Sequence, residues 1–114
     1  MDRRRIGQAA EDAACALLES HGVQILLRNF RGRLGELDVV ARDHDTLIIV
    51  EVRARSNDEF GGAAASVDPR KQAKIRRAAA LLLSQRADLA KRAVRFDVIT
   101  IDGGHIEWIK HAFT

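Results

Sequence analysis

The sequence predicts a single α/β domain, in which two helices flank a central mixed sheet of about five strands. Two segments repeat apolar residues with the period of a helix, five segments have the composition of strands, and together they follow the order αβββαββ. A chain of 114 residues, 46% of them hydrophobic, is long enough for one compact core and too short for two. We therefore assign residues 1–114 to one domain.

The first predicted helix covers residues 4–21, where apolar or small residues recur three and four positions apart. Gly22 supplies a natural stop. The second predicted helix starts at Asp68 and Pro69, because aspartate can cap free amides and proline fits the first helical turn. Its apolar stripe continues to about residue 87, and its opposite face is basic.

The predicted strands cover residues 23–30, 36–41, 47–54, 94–101 and 106–109. A basic turn joins the first two, and residues 42–46 separate the second from the third. The third strand has β-branched residues on both faces, which is typical of a central strand covered on both sides. Residues 56–67 are polar and small, and we expect a mobile loop there.

The bulk composition indicates a protein of a reducing compartment. Cys15 is the sole cysteine, which excludes a disulfide framework and a cysteine metal cluster. No apolar run is long enough for a signal peptide or a membrane span, so we expect a cytoplasmic protein without a membrane partner. The formal charge of +3 fits either a nucleic-acid-binding surface rich in arginine or an ordinary solvated surface.

Carboxylates lie within the two strands where a hydrophobic core would be expected: Glu36 and Asp38 in the second, and Glu51 in the third. If residues 44–45 form a two-residue hairpin loop, Asp38 lies directly opposite Glu51, and facing Cβ atoms are about 4.5 to 5.5 Å apart. Strand alternation places Arg53 on the face of Glu51 and Glu36 on the face of Asp38. A slip of one residue would separate the two acids.

Two adjacent carboxylates repel each other, and a divalent cation such as Mg²⁺ or Mn²⁺ would make their proximity tolerable. Such an ion can polarise a phosphodiester and lower the pKa of a water molecule. Glu11 lies beside the apolar stripe of the first helix, from which it could complete the metal shell or orient a water. The alternative is structural: Asp38 and Glu51 pair with Arg53 and other arginines in an ion-pair network.

Asp38, followed on the next strand by Glu51-Val52-Arg53 and preceded by a helix bearing Glu11, resembles the pattern of PD-(D/E)xK nucleases. More specifically, the sequence is similar to the YraN-like uncharacterised family over residues 7–113. The segments that carry this similarity are residues 35–41, 49–55, 60–61, 95–98 and 109–113, together with Lys71. The resemblance implies a restriction-endonuclease-like fold akin to archaeal Holliday junction resolvases, a DNA substrate, Mg²⁺ dependence and often a homodimer.

Carried over to these positions, the resemblance makes Asp38 and Glu51 metal ligands, with the carbonyl of Val52 as a further ligand and Glu11 as the acid from the first helix. The sequence departs from the nuclease pattern at Arg53, where the pattern has lysine. Arginine stays protonated and cannot act as a general base, although it can stabilise charge on a phosphate.

Lys71 and Gln72 resemble polar residues that related nucleases direct at the site, so Lys71 could substitute in part for the missing lysine. The basic turn is expected to grip phosphates. The predicted nucleic-acid-binding residues are Arg31, Arg33, Arg55, Gln72 and Lys74. A solvated helix face is the alternative for Lys74.

Two functions follow from these patterns. One is a metal-dependent DNA endonuclease, structure-selective in the manner of a junction resolvase, with Glu11, Asp38, Glu51, Arg53 and Lys71 as its catalytic residues. The other is a nucleic-acid-binding or scaffolding protein that keeps the fold without turnover.

Overall fold

The computed structural model describes residues 3–55 and 67–114, with the backbone alone for residues 3–6 and 55. The predicted loop lies outside the described residues except for Val67, as do the side chain of Arg55 and the segment 60–61. Two helices and five strands make up the described part: α1 (Arg3–Ser20), β1 (Gln24–Gly32), β2 (Gly35–Asp43), β3 (Thr46–Arg55), α2 (Pro69–Gln85), β4 (Ala93–Asp102) and β5 (His105–Phe113). The predicted order αβββαββ and the mixed α/β class are confirmed.

The five strands form one sheet in the order β1-β2-β3-β4-β5. Neighbouring strands are antiparallel except for β3 and β4, which are parallel. Parallel neighbours need a long crossover connection, and α2 lies in it. The predicted position of β3 at the centre of the sheet is therefore confirmed.

The two helices cover opposite faces of the sheet, because the sheet residues packed on α1 and those packed on α2 belong to separate apolar clusters. On the α1 side the cluster includes Ala14, Cys15, Leu18, Val39, Ala41, Ile48, Val50 and Ile99. On the α2 side it includes Val40, Leu47, Ile49, Ile75, Ala78, Ala79, Leu82 and Val98. The alternation of β3 between these clusters explains why its sequence is apolar on both faces.

Strand β5 continues to Phe113, whereas the sequence pattern predicted an end at residue 109. The pairing of β4 with β5 shifts register between Phe96 and Val98, and His111 has a left-handed backbone with φ of 55°. A bulge of this kind breaks the two-residue alternation from which the strand was predicted. The β1–β2 pair has a similar shift near its start, and Asn29 also has φ of 55°.

Asp97, fully buried in β4, stabilises the β4–β5 bulge. Its carboxylate accepts hydrogen bonds from Nε and Nη2 of Arg95 at 2.8 and 2.9 Å, from Nε1 of Trp108 at 2.9 Å, and from the main-chain N–H of His111 at 2.9 Å. A buried charge is tolerated when it is paired and hydrogen-bonded in this way. The last strand is thus fastened to the sheet by a polar network as well as by its ladder.

Neither helix in the described ranges contains an apolar stretch long enough to cross a membrane.

Candidate functional site

The β2–β3 hairpin has the predicted register. Asp43 pairs with Thr46 across a two-residue turn, and the pairing continues through Val40 with Ile49 to Val39 with Val50. His44, in the turn, has φ of 54°. The predicted register is confirmed as far as Val39 and Val50, and beyond them the side chains of Asp38 and Glu51 interact with each other.

The side chain of Asp38 continues the hairpin where the backbone ladder ends. Its Oδ2 atom accepts a hydrogen bond of 2.9 Å from the main-chain N–H of Val52. The carboxyl groups of Asp38 and Glu51 share a hydrogen bond, so the two acids are in direct contact. A contact between two carboxyl groups is favourable only when a proton or a cation separates their charges.

The pKa of Asp38 is raised to about 7, first by burial and then by the hydrogen bond and the negative charge of Glu51. The N–H of Val52 and the ammonium of Lys71 act in the opposite direction. Asp38 is therefore about half protonated at neutral pH. A divalent cation between the carboxylates would displace this proton.

Lys71 is the cation that faces this pair. Its Nζ atom lies 3.2 Å from Oε2 of buried Glu51, and about half of the lysine side chain is exposed. The start of α2 determines this placement, because Asp68 caps the helix by accepting from the main-chain N–H of Lys71 at 2.8 Å. Sequence reasoning did not name this lysine as a structural partner of the acids.

The acidic pair lies between two cavities. Asp38 lines one of about 460 Å³, together with Glu11, Glu36, Arg31, Gly7, Gln8 and Asn29. Glu51 lines the other, of about 310 Å³, together with Val52, Arg53, Ala54, Asp68 and Lys71. The predicted catalytic residues are thus divided between the two sides of the pair, with Glu11 on the Asp38 side and Arg53 and Lys71 on the Glu51 side.

Arg28 of β1 pairs with Glu11, a contact that sequence reasoning did not predict. Nη2 of Arg28 lies 3.5 Å from Oε1 of Glu11 and donates to Oδ1 of Asp12 at 2.7 Å. Oε1 of Glu11 is buried and accepts no hydrogen bond from the described residues. No sequence spacing signals this contact, because it depends on how α1 packs on β1.

The donors at the acidic pair fit a magnesium-type ion. Within residues 3–55 and 67–114, no three or more histidine, cysteine, aspartate or glutamate side chains are grouped to hold a metal, so Glu11 does not join Asp38 and Glu51 as a third ligand. Mg²⁺ is commonly held by one or two carboxylates together with waters and substrate phosphates. Asp38 and Glu51 supply those carboxylates, and Val52 lines the same cavity as Glu51.

The predicted nucleic-acid-binding residues are placed differently from one another. Arg31 is largely exposed and lies 3.7 Å from Glu36, while Arg33 is exposed in the β1–β2 turn. Lys74 is exposed on α2. The Nε2 atom of Gln72 donates to the carbonyl of Val67 at 2.7 Å.

The model of the family described as "Uncharacterised protein family UPF0102" matches residues 10–101. The chain belongs to this family. The match confirms the YraN-like resemblance that the sequence motifs indicated.

Several UPF0102 proteins align with nearly the whole chain. UPF0102 protein Bpet0439 of Bordetella petrii is 48% identical over 118 residues, which cover 97% of this chain and 71% of the relative. A UPF0102 protein of Halorhodospira halophila is 46% identical, with 98% and 89% covered. One of Yersinia pseudotuberculosis is also 46% identical, with 99% and 97% covered. The names of these relatives state no activity.

Proposed function

We propose that this UPF0102 protein is a metal-dependent DNA endonuclease with a restriction-endonuclease-like fold, which hydrolyses phosphodiesters in structured DNA such as a four-way junction. The observation that carries the proposal is the contact between Asp38 and Glu51, which come from adjacent strands and lie between two cavities. Two acids held in contact in a partly buried position destabilise the folded state. A function in cation binding explains why the chain keeps them together.

Asp38 and Glu51 would hold Mg²⁺ or Mn²⁺, with the Val52 carbonyl as a further ligand. When bound, the ion would polarise the phosphodiester and lower the pKa of a water molecule. Asp38 is oriented for this role by its hydrogen bond from the N–H of Val52, which fixes its Oδ2 atom. Glu51 is fixed from the other side by Lys71.

The cations on the Glu51 side would receive the phosphate. Arg53 and Lys71 line the same cavity as Glu51, so a phosphate that enters it meets positive charge from both β3 and α2. Arg53 remains protonated and stabilises charge without moving a proton. Glu11 lines the cavity of Asp38, where its carboxylate would orient a water molecule.

The second candidate is a nucleic-acid-binding or scaffolding protein without turnover. The contact between Lys71 and Glu51 favours it, because an internal ammonium reduces the need for a metal. The presence of Arg53 where the nuclease pattern has lysine also favours this second candidate. In either case we propose a cytoplasmic protein that acts on DNA, as a homodimer.

The two functions are separated by metal binding and cleavage measured on the same variants. Calorimetric titration with Mn²⁺ should give binding by the wild type, loss with Asp38→Ala and no change with Asp88→Ala, an exposed acid on the loop after α2. Labelled junctions, flaps and duplexes are then incubated with Mn²⁺. If the wild type nicks a substrate and Glu51→Ala abolishes the nicking, the endonuclease is supported. Metal and DNA binding without cleavage of any substrate supports the second candidate, and absence of Mn²⁺ binding by the wild type contradicts the metal site.

A further inference from the structure

The charges of α2 are all of one sign and lie in its first half. The helix sequence Pro69–Gln85 contains no acid, and it has no basic residue in its last turn. Its basic residues are Arg70, Lys71, Lys74, Arg76 and Arg77. A helix N-terminus carries partial positive charge, so cations near it destabilise the helix and acids are the favoured residues. Arg70 and Lys71, in the first turn, therefore oppose helix stability, and the lack of acids leaves α2 positively charged.

Two of these cations have partners within the domain. Lys71 pairs with Glu51, and Nη1 of Arg76 donates to the carbonyl of Thr114 at 3.2 Å. The other three, Arg70, Lys74 and Arg77, are exposed. Among the residues that the structure describes, no carboxylate forms an ion pair with them.

Arg70, Lys74 and Arg77 lie on one face of the helix, since residues four and three positions apart share a face. We call these three residues the basic row. The row spans about 10 Å along the helix axis, at a rise of about 1.5 Å per residue. It begins next to Lys71, the residue in contact with Glu51, so one end of the row adjoins the acidic pair.

The β1–β2 turn adds a further cation beside the row. A Cβ atom on Gly35 would lie 3.1 Å from the main-chain oxygen of Lys74, which shows that the turn rests directly on α2 at the middle of the row. Arg33 is exposed in this turn. Arg33 and the three cations of the row are thus exposed on two elements that are in contact with each other.

We propose that the basic row, together with Arg33, binds the phosphate backbone of duplex nucleic acid and holds the duplex beside the acidic pair. This inference rests on the proposed function and names the surface that receives its substrate. The row is as long as about three phosphate steps of one strand, at about 3.4 Å of helix axis each. Contacts of this kind position a duplex without reading its sequence.

The surface fits a duplex better than two other anionic partners. Base stacking on a single strand needs aromatic side chains, and α2 contains none. Insertion into an anionic membrane needs an exposed apolar face, whereas Ile75, Ala78, Ala79 and Leu82 of α2 are buried against the sheet.

The test measures binding of the full chain to a labelled duplex in the presence of a chelator, over a range of salt concentrations. The row variant is Arg70→Gln/Lys74→Gln/Arg77→Gln, since glutamine keeps helix propensity. The matched control is Arg86→Gln/Lys91→Gln/Lys110→Gln, which removes the same charge from exposed positions outside α2. Circular dichroism melts establish that both variants fold.

We expect the row variant to bind the duplex at least about tenfold more weakly at low salt, and the slope of log affinity against log salt to fall by about 2 to 3. The control should keep a slope close to that of the wild type. Equal losses in both variants, or an unchanged slope in the row variant, overturn the inference. The inference is also overturned if the wild type binds vesicles containing phosphatidylserine and does not bind the duplex.

Failure of this inference is distinguishable from failure of the proposed function. If the row variant binds DNA as the wild type does, while Glu51→Ala abolishes metal-dependent nicking, the inference fails and the endonuclease stands. If the row controls duplex binding but no substrate is cut with Mn²⁺, the inference stands and the endonuclease fails.

Discussion

The ammonium nitrogen of Lys71 lies 3.2 Å from Oε2 of Glu51, and Glu51 shares a hydrogen bond with Asp38. Asp38 is about half protonated at neutral pH because its pKa is raised to about 7, and Lys71 at the start of α2 places a positive charge beside Glu51. A divalent cation at this pair would compete with the proton and with Lys71. Lys71 freed from Glu51 would remain in the same cavity, where a phosphate would meet it.

Lys71→Met should strengthen binding of Mn²⁺ roughly three- to tenfold, because the ion no longer competes with an ammonium for Glu51. Calorimetric titration at about pH 7.5 measures the change in Mn²⁺ affinity. Lys74→Met, one turn further along α2, is the control and should leave the affinity unchanged. Weaker binding by Lys71→Met would mean that the lysine organises the site and does not compete with the ion.

The raised pKa of Asp38 predicts that the metal-free protein loses stability as the pH rises. A carboxyl group has a pKa of about 4 in the unfolded chain, and that of Asp38 is about 7 in the fold. Between these values the folded state binds more protons than the unfolded state, so the free energy of unfolding falls from about pH 4 to about pH 7. Above that range this group adds no further change.

Asp38→Asn removes this loss, because an amide keeps the acceptor for the N–H of Val52 and carries no charge. Urea unfolding in a chelator should show the variant more stable than the wild type at pH 8, by up to about 4 kcal/mol, with little difference near pH 4. Asp88→Asn is the control, since the hydrogen bond from Arg86 lowers the pKa of Asp88 and its dependence has the opposite sign. A variant less stable than the wild type at pH 8 would contradict the prediction.

Asp97→Ala should destabilise the fold by about 3 to 5 kcal/mol, because it leaves Arg95, Trp108 and the N–H of His111 without their shared acceptor. Chemical denaturation measures this loss. Asp88→Ala also removes a carboxylate paired with an arginine, but at an exposed position, and should have little effect. Similar losses in the two variants would show that burial of Asp97 does not matter.

Gly35→Ala should cost about 1 to 3 kcal/mol of stability, since Gly35 has φ of 149° and the added Cβ would press on the main-chain oxygen of Lys74. Thermal unfolding provides the measurement. Gly104→Ala serves as the control, because an added Cβ there meets nothing within 4 Å. If the turn bears on the basic row as proposed, Gly35→Ala also weakens duplex binding, and an unaffected affinity would separate the turn from the row.

The sequence was sufficient to predict the hairpin that positions Asp38 and Glu51. A two-residue turn sets the register, and the apolar residues of β3 on both faces mark the centre of the sheet, so both inferences depend on local pattern. Local pattern also located α2, whose first residues, Asp68 and Pro69, are a strong start signal.

The features that the sequence did not reveal depend on tertiary contacts. The second half of β5 follows a bulge fastened by Asp97, and alternation fails at a bulge. Arg28 meets Glu11 only because α1 packs on β1. The amide of Gln72 donates a hydrogen bond to the carbonyl of Val67, a contact that no sequence pattern signals. Each contact joins residues whose spacing carries no period of a helix or strand.

The register shifts and left-handed residues in β1 and β5 affect how copies of this chain can associate. These strands are the two margins of the sheet, and each is interrupted, near Asn29 in β1 and at His111 in β5. An interrupted margin offers a poor template for a strand from another molecule. Concentrated solutions should therefore resist fibre growth by strand addition at these two edges.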